Sequence, residues 1–257
     1  MHVDKDEILD FARGQAAMAS LAADEAGIVE NLEKYARKQL SGAMIGDVPS
    51  FTKIKVGYAA KAWASILFVD MRKSSQRALK FGPRTTFITM HTFLPTMAKV
   101  VVDCEGVIVG YRGDGLFAAF GLTTEADQKK SDELKQAIQT SYLCGKAMLE
   151  AVDVAITPAL EDEIEGFQPF NIGCGIDCGH LVVTRIGLNL GSELTAYGVA
   201  VNKAAKLCSD ANHEVIISDN ANELMPTTKG GTLGVLRNMK GRGGFVLRFP
   251  SDYRIVE

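Results

Sequence analysis

Two aspartates sit where short apolar runs end. Asp70 closes the run WASILFVD, and Asp114 lies between Gly113 and Gly115 in VIVGYRGDGLFAAFG. A carboxylate at a strand end is most often a turn or cap residue, and Gly-Asp-Gly alone is an ordinary hairpin turn. Two carboxylates on neighbouring strand ends have a further use. With the oxygens of a bound phosphate they make the ligand set by which Mg²⁺ is commonly held for phosphoryl transfer. Behind Asp70 comes MRKSS. A helix starting there would point consecutive backbone N–H groups at an anion, and Arg72 and Lys73 add positive charge.

The other reactive residue types do not assemble into a site. His2, His91, His180 and His213 are scattered and make no HExxH pattern. His180 follows a glycine in a predicted turn and reads as a surface residue. The cysteines are Cys104, Cys144, Cys174, Cys178 and Cys208, an odd number at irregular spacing. They read as reduced, mostly buried thiols of a cytoplasmic protein. Cys174 and Cys178 lack the second pair that a zinc site needs. Net charge is −3 with the signs interspersed, so no nucleic-acid partner is expected. No run approaches the ~18 apolar residues of a membrane span, and the acidic start is unlike a signal peptide. No membrane partner is expected either.

Positioning the two aspartates takes a sheet. With 47% apolar residues, a chain of 257 residues can bury a sizeable core. Residues 4 to 40 have helical spacing (Ile8, Leu9, Phe11, then Ile28, Leu32, Tyr35), with Gly14 and Gly27 as interruptions that allow two helices. Ser41 to Ser50 reads as a loop. The boundary falls there, leaving 1–42 as an N-terminal helical extension, either a dimerisation arm or an extra helical layer, and 55–257 as the main domain. Trp63 to Asp70 suits a strand buried on both faces. A helix follows with Phe87, Met90, His91, Leu94, Met97 and Val101 as its stripe, Pro83 near its start and Pro95 kinking or dividing it. Val107–Val109 and Leu116–Phe120 form the hairpin that carries Asp114. Ser131 opens an amphipathic helix with Leu134, Ile138, Tyr142 and Met148 inward. Residues 169 to 186 read as strand, glycine turn, strand. AYGVAVNKAAKLCSDA opens a helix, HEVIISD is a strand, ANELM a short helix and GGFVLRFPS a last strand. This order predicts an α/β fold: an α+β sandwich of the split βαβ, ferredoxin-like kind, with a central mixed sheet flanked by helices.

FVDMRKSSQ, YRGDGLFAAFG and YGVAVNKAAKL together resemble the class III nucleotidyl cyclase catalytic domain, the fold of adenylate and guanylate cyclases. The likeness runs from about Ala62 to Asp219. It implies a homodimer with two composite active sites, nucleoside triphosphate as substrate and two Mg²⁺ or Mn²⁺ ions per site. By position, Asp70 and Asp114 match the metal-binding aspartates, and Met71 stands where the family uses a backbone carbonyl. In the mechanism this implies, the backbone N–H groups of Arg72, Lys73, Ser74 and Ser75 grip the β and γ phosphates. Asn202 matches the asparagine that orients the ribose. Lys206 stands where the family has an arginine on the triphosphate; lysine keeps the charge and loses the bidentate fork.

The base-reading positions depart further. Purine cyclases commonly carry lysine or glutamate four residues before the second metal aspartate, which is Gly110 here. The partner acid seven residues before the asparagine is Thr195. Tyr111 and Arg112 offer other donors. This altered pocket resembles the bacterial pyrimidine cyclases of Pycsar anti-phage systems. Those make cyclic UMP or cyclic CMP, which activates a separate effector. UTP is the favoured substrate on this likeness. The alternatives are CTP, a purine triphosphate, or a non-catalytic nucleotide-binding module.

Overall fold

The computed structural model describes residues 3–24, 44–124, 131–188, 191–225, 234–239 and 243–248. Strand β1, Ala59–Met71, lies at the centre. On one side it pairs antiparallel with β3, Gly115–Thr124. On the other it pairs antiparallel with β4, Ile172–Leu188. β2, Val107–Arg112, is the outer partner of β3. The first half of β4 pairs parallel with β6, Glu214–Ser218, and its second half pairs antiparallel with β5, Gly191–Tyr197. Two more strands, β7 (Gly234–Met239) and β8 (Gly244–Arg248), complete a mixed sheet of eight strands among the described residues.

Both faces of the sheet are covered, and that explains the unbroken apolar run of β1. Leu67, Val69 and Met71 belong to one core with helices α1 (Lys5–Asp24), α3 (Ser74–Asp103) and α4 (Ser131–Ala151). Ala62, Ala64 and Ile66 belong to a second core with Phe117, Val183 and Ala204. Ala204 is on α6, Val199–Asp210, the helix that seals that side. The mixed sheet and flanking helices are as the sequence predicts, and so are the inward Ile138, Tyr142 and Met148 of α4.

Several local expectations need correction. Gly14 does not interrupt α1, because glycine costs a helix only about 1 kcal/mol and Ile8, Ala12, Ala16 and Ala19 are buried along it. α1 is thus a helical layer on the core, tied to α3 by Glu7 and Lys99 at 2.7 Å. Gly27 lies outside the described residues. Part of the expected loop is helical: a 3₁₀ turn, Ile45–Asp47, and α2, Pro49–Thr52, bury Ile45 and Phe51. In α3 the break falls at Gly82 (φ 78°), and Pro95 stays in helical geometry. Glycine alone takes that left-handed conformation without strain, and Pro83 then starts a new segment where its missing N–H is no loss. The buried face of α3 centres on Ile88, Phe93, Met97 and Val101, while His91 is exposed.

The predicted turn between residues 169 and 186 does not exist; β4 is one long strand. Its glycines serve close packing instead. A Cβ on Gly175 would overlap the Ala204 carbonyl and the Cys208 amide, so only glycine lets α6 lie directly on β4. His180 is therefore in a strand, and it is exposed as expected. After α4 the chain continues through a π turn, Val152–Ile156, into α5, Thr157–Glu163, neither of which was predicted. α7, Asp219–Glu223, is the short helix expected from ANELM, and β7 was missed. Among the described residues no helix is long and apolar enough to cross a membrane.

Candidate active site

β1 delivers Asp70 to the end of the sheet, in register with Gly115 of β3 and Gly173 of β4. A side chain at Gly115 would strike the Val69 carbonyl and come within 3.0 Å of the Asp70 carboxylate. The glycine after Asp114 therefore lets the hairpin close against Asp70. The two carboxyls come within hydrogen-bonding reach. Burial and the charge of Asp114 push Asp70 up to about 6, against the opposing pull of Arg72. That upward shift marks a pair of carboxylates short of positive charge. Among the described residues no group of three or more His, Cys, Asp or Glu side chains gathers to hold a metal. Two carboxylates with phosphate and water oxygens are nonetheless a sufficient donor set for Mg²⁺ or Mn²⁺, and the residues present fit such an ion.

Arg72 does not face outward. Its Nη2 donates to Asp70 Oδ2 at 2.8 Å, and its Nη1 donates to the Ser209 carbonyl at 3.1 Å. The Arg72 backbone N–H is also engaged, donating to the Asn171 carbonyl at 2.8 Å. Of the predicted phosphate turn this leaves Lys73, Ser74 and Ser75. Lys73 is exposed in a left-handed conformation (φ 58°) and starts α3 without a side-chain cap. Ser74 and Ser75 lie in the first turn, whose N–H groups have no partner within a helix. Met71 is buried and paired with Ile172.

A second group forms between β2 and β5. Arg112 Nη2 donates to Thr195 Oγ1 at 2.8 Å, and its Nη1 donates to the Tyr111 carbonyl at 2.9 Å. Glu193 Oε1 lies 3.4 Å from Nη1. The guanidinium sits 5.2 Å from the centre of the Phe117 ring, which stacks on Phe68 at 4.7 Å. A Cβ on Gly110 would be 3.3 Å from Arg112 Nη1. Arg112 thus fills the space beside Gly110 and bonds to Thr195, joining the two positions singled out for base reading. Tyr111 remains partly exposed beside them. Glu193, Phe68 and Phe117 were missed. Period-two alternation along ELTAY places Glu193 on the side of Thr195, a signal that was there to use.

Asn202 and Lys206 are one turn apart on the exposed side of α6, opposite the buried Val201, Ala204 and Leu207. Among the contacts described, neither reaches the Asp70 group.

No family model matches the chain. It is 27% identical to a cytidylate cyclase of Escherichia coli over 176 residues, 67% of this chain and 38% of that protein. It is 29% identical to a uridylate cyclase of Rhodovulum over 149 residues, 56% of this chain and 57% of that protein. The chain therefore spans roughly two fifths to three fifths of these curated relatives. The adenylyl cyclase CyaB from P. aeruginosa superposes with a TM-score of 0.60 at 18% identity, covering 78% of this chain and all of that one.

This chain has the fold of the class III nucleotidyl cyclases. Within that fold the chain carries the carboxylate pair at the end of β1 and on the β2–β3 hairpin. It departs from the family pattern at Gly110, Thr195 and Lys206. At the first two, Arg112 has taken over the space. At Lys206 a flexible ammonium replaces a planar fork.

Proposed function

We propose that this chain is a uridylate cyclase, converting UTP to 3′,5′-cyclic UMP and pyrophosphate. The observation that carries the reading is the Asp70–Asp114 pair, held at one sheet end beside the open first turn of α3. Asp70 and Asp114 would hold the ions, two per site, with the Met71 carbonyl adjacent. Mg²⁺ or Mn²⁺ held there would supply acidity to the ribose 3′-hydroxyl and positive charge to the triphosphate. The N–H groups of Ser74 and Ser75, with Lys73, receive the β and γ phosphates. The 3′-oxygen attacks the α-phosphorus in line as its bond to the pyrophosphate oxygen breaks, and the hydroxyl proton leaves to water or phosphate. Asn202 aligns the ribose and Lys206 offsets the developing charge.

In this reading Asn202 and Lys206 come from a second copy, so that two composite sites form in a homodimer. Exposed Val182, Ile186 and Leu188 on β4, with Tyr197 and Val199 leading into α6, support such a partner. Residues 55–257 are the catalytic domain and 1–42 an N-terminal helical extension, of which α1 packs on the core.

Arg112 favours a base with a carbonyl acceptor over adenine, and the likeness to the cytidylate and uridylate cyclases favours a pyrimidine over guanine. A guanidinium only donates hydrogen bonds. The O2 carbonyl shared by uracil and cytosine accepts them, and adenine has no carbonyl. UTP is preferred to CTP because the uridylate cyclase is matched over the larger share of its own length. The cytidylate cyclase relative keeps CTP as the second reading. By the same likeness cyclic UMP serves as a second messenger in anti-phage defence, read by a separate effector, in a reducing cytoplasm that suits five free buried thiols.

The test is turnover of UTP with Mn²⁺ by the full chain and by Asp70→Ala. Cyclic UMP from the first and about 10³-fold less from the second is expected, the loss typical of removing an electrostatic catalytic group. No product from either chain, with nucleotide affinity unchanged in Asp70→Ala, overturns the enzyme reading.

A further inference from the structure

Arg72 occupies the position a cation would take beside Asp70. Its guanidinium is largely buried and donates to the Asp70 carboxylate at 2.8 Å and to the Asp70 carbonyl at 3.4 Å. The other arm reaches the Ser209 carbonyl in the last turn of α6 at 3.1 Å, with Cys208 Sγ at 4.0 Å from Nη2. This arrangement is incomplete. Arg72 Nε–H is buried and has no partner among the described residues. A buried unpaired donor carries a desolvation cost, which weakens the position against an alternative one. Arginine also keeps its charge at any working pH, so only displacement can free the carboxylate.

We infer that Arg72 is a displaceable counter-cation for the Asp70–Asp114 pair: it neutralises the pair in the metal-free chain, and a divalent ion must expel it. The inference rests on reading the pair as a metal site. Arg72 acts through Asp70 and is a positioning residue. Held in, it keeps two carboxylates together that would otherwise repel each other. Expelled, it lies next to the Lys73–Ser75 turn with its donors free for phosphate. Expulsion also breaks the tie between the end of β1 and the last turn of α6, the helix that carries Asn202 and Lys206. Arrival of the ion is thereby felt at α6.

The measurement is Mn²⁺ binding by the metal-stripped full chain without nucleotide, with free Mn²⁺ followed by electron paramagnetic resonance. Arg72→Ala should bind Mn²⁺ about tenfold more tightly, the worth of one charge-assisted hydrogen bond that no longer has to break. Arg72→Met, which keeps the packing of the stem, should show the same gain, and Arg72→Lys should stay close to the parent. Damage to the fold would weaken binding, so a gain is a result that a merely structural role does not produce. Affinity unchanged or lower in both Arg72→Ala and Arg72→Met overturns the inference. Asp70→Ala separates the two levels. If the parent binds Mn²⁺ no better than Asp70→Ala does, the metal reading fails and this inference falls with it. If binding needs Asp70 and the Arg72 variants gain nothing, only the role of Arg72 fails.

Discussion

Asp70 has a proton affinity set by its neighbours, and that gives a signed dependence on pH. Burial and Asp114 raise it from the ordinary 3.8 to about 6 in the folded chain. The folded chain then holds a proton there more tightly than the unfolded chain does. Its contribution to stability is complete below about pH 4 and is lost as pH rises through 6. Asp70→Asn removes this dependence. Without metal, the variant should gain melting temperature relative to the parent between pH 4.5 and pH 7.5. A difference that stays constant over that range contradicts the assignment. At this scale the sequence pointed to Asp70 and Asp114 as a pair, and not to how Arg72 sits against them. Either acid alone reads as a turn residue; the pair was legible because both lie at neighbouring strand ends with the MRKSS turn beside the first. The inward turn of Arg72 was not, because a side chain's direction depends on Ser209, which lies far along the chain on α6.

At the scale of elements, the buried strand β1 and the helices were legible because periodicity reports directly which faces meet a core. Glycine misled. In β4 it reads as a turn residue, since most turns need it, yet Gly175 is there because α6 has no room for a side chain. Likewise Pro95 looks like the break in α3, while the break belongs to Gly82, whose positive φ redirects the chain. Nothing local distinguishes these uses, because each depends on what packs against the residue. Gly175→Ala tests the packing account. Its methyl meets backbone, which cannot rotate away, so the loss should reach about 3 kcal/mol, the upper end for overpacking. Urea unfolding measures it, and a variant as stable as the parent would show that α6 sits less closely on β4.

The whole molecule has its candidate groups in separate places. Asp70 and Asp114 are at one sheet end, Arg112 and Thr195 join β2 to β5, and Asn202 and Lys206 face out from α6. A single chain leaves Asn202 and Lys206 exposed, and in the proposed homodimer a second copy would give them something to act on. Asp70→Ala and Asn202→Ala should each be inactive alone. Mixed and allowed to exchange, they should recover about a quarter of parental activity, because half of randomly paired dimers are mixed and each of those has one intact site. No recovery would place all the groups in one chain's own site. The central claim is the reaction itself, and the most direct test offers the full chain an equimolar mixture of UTP, CTP, ATP and GTP with Mn²⁺ and identifies the products by mass. The account predicts cyclic UMP as the main product, with pyrophosphate in equal amount. Cyclic AMP as the main product, or no cyclic nucleotide at all, would contradict it.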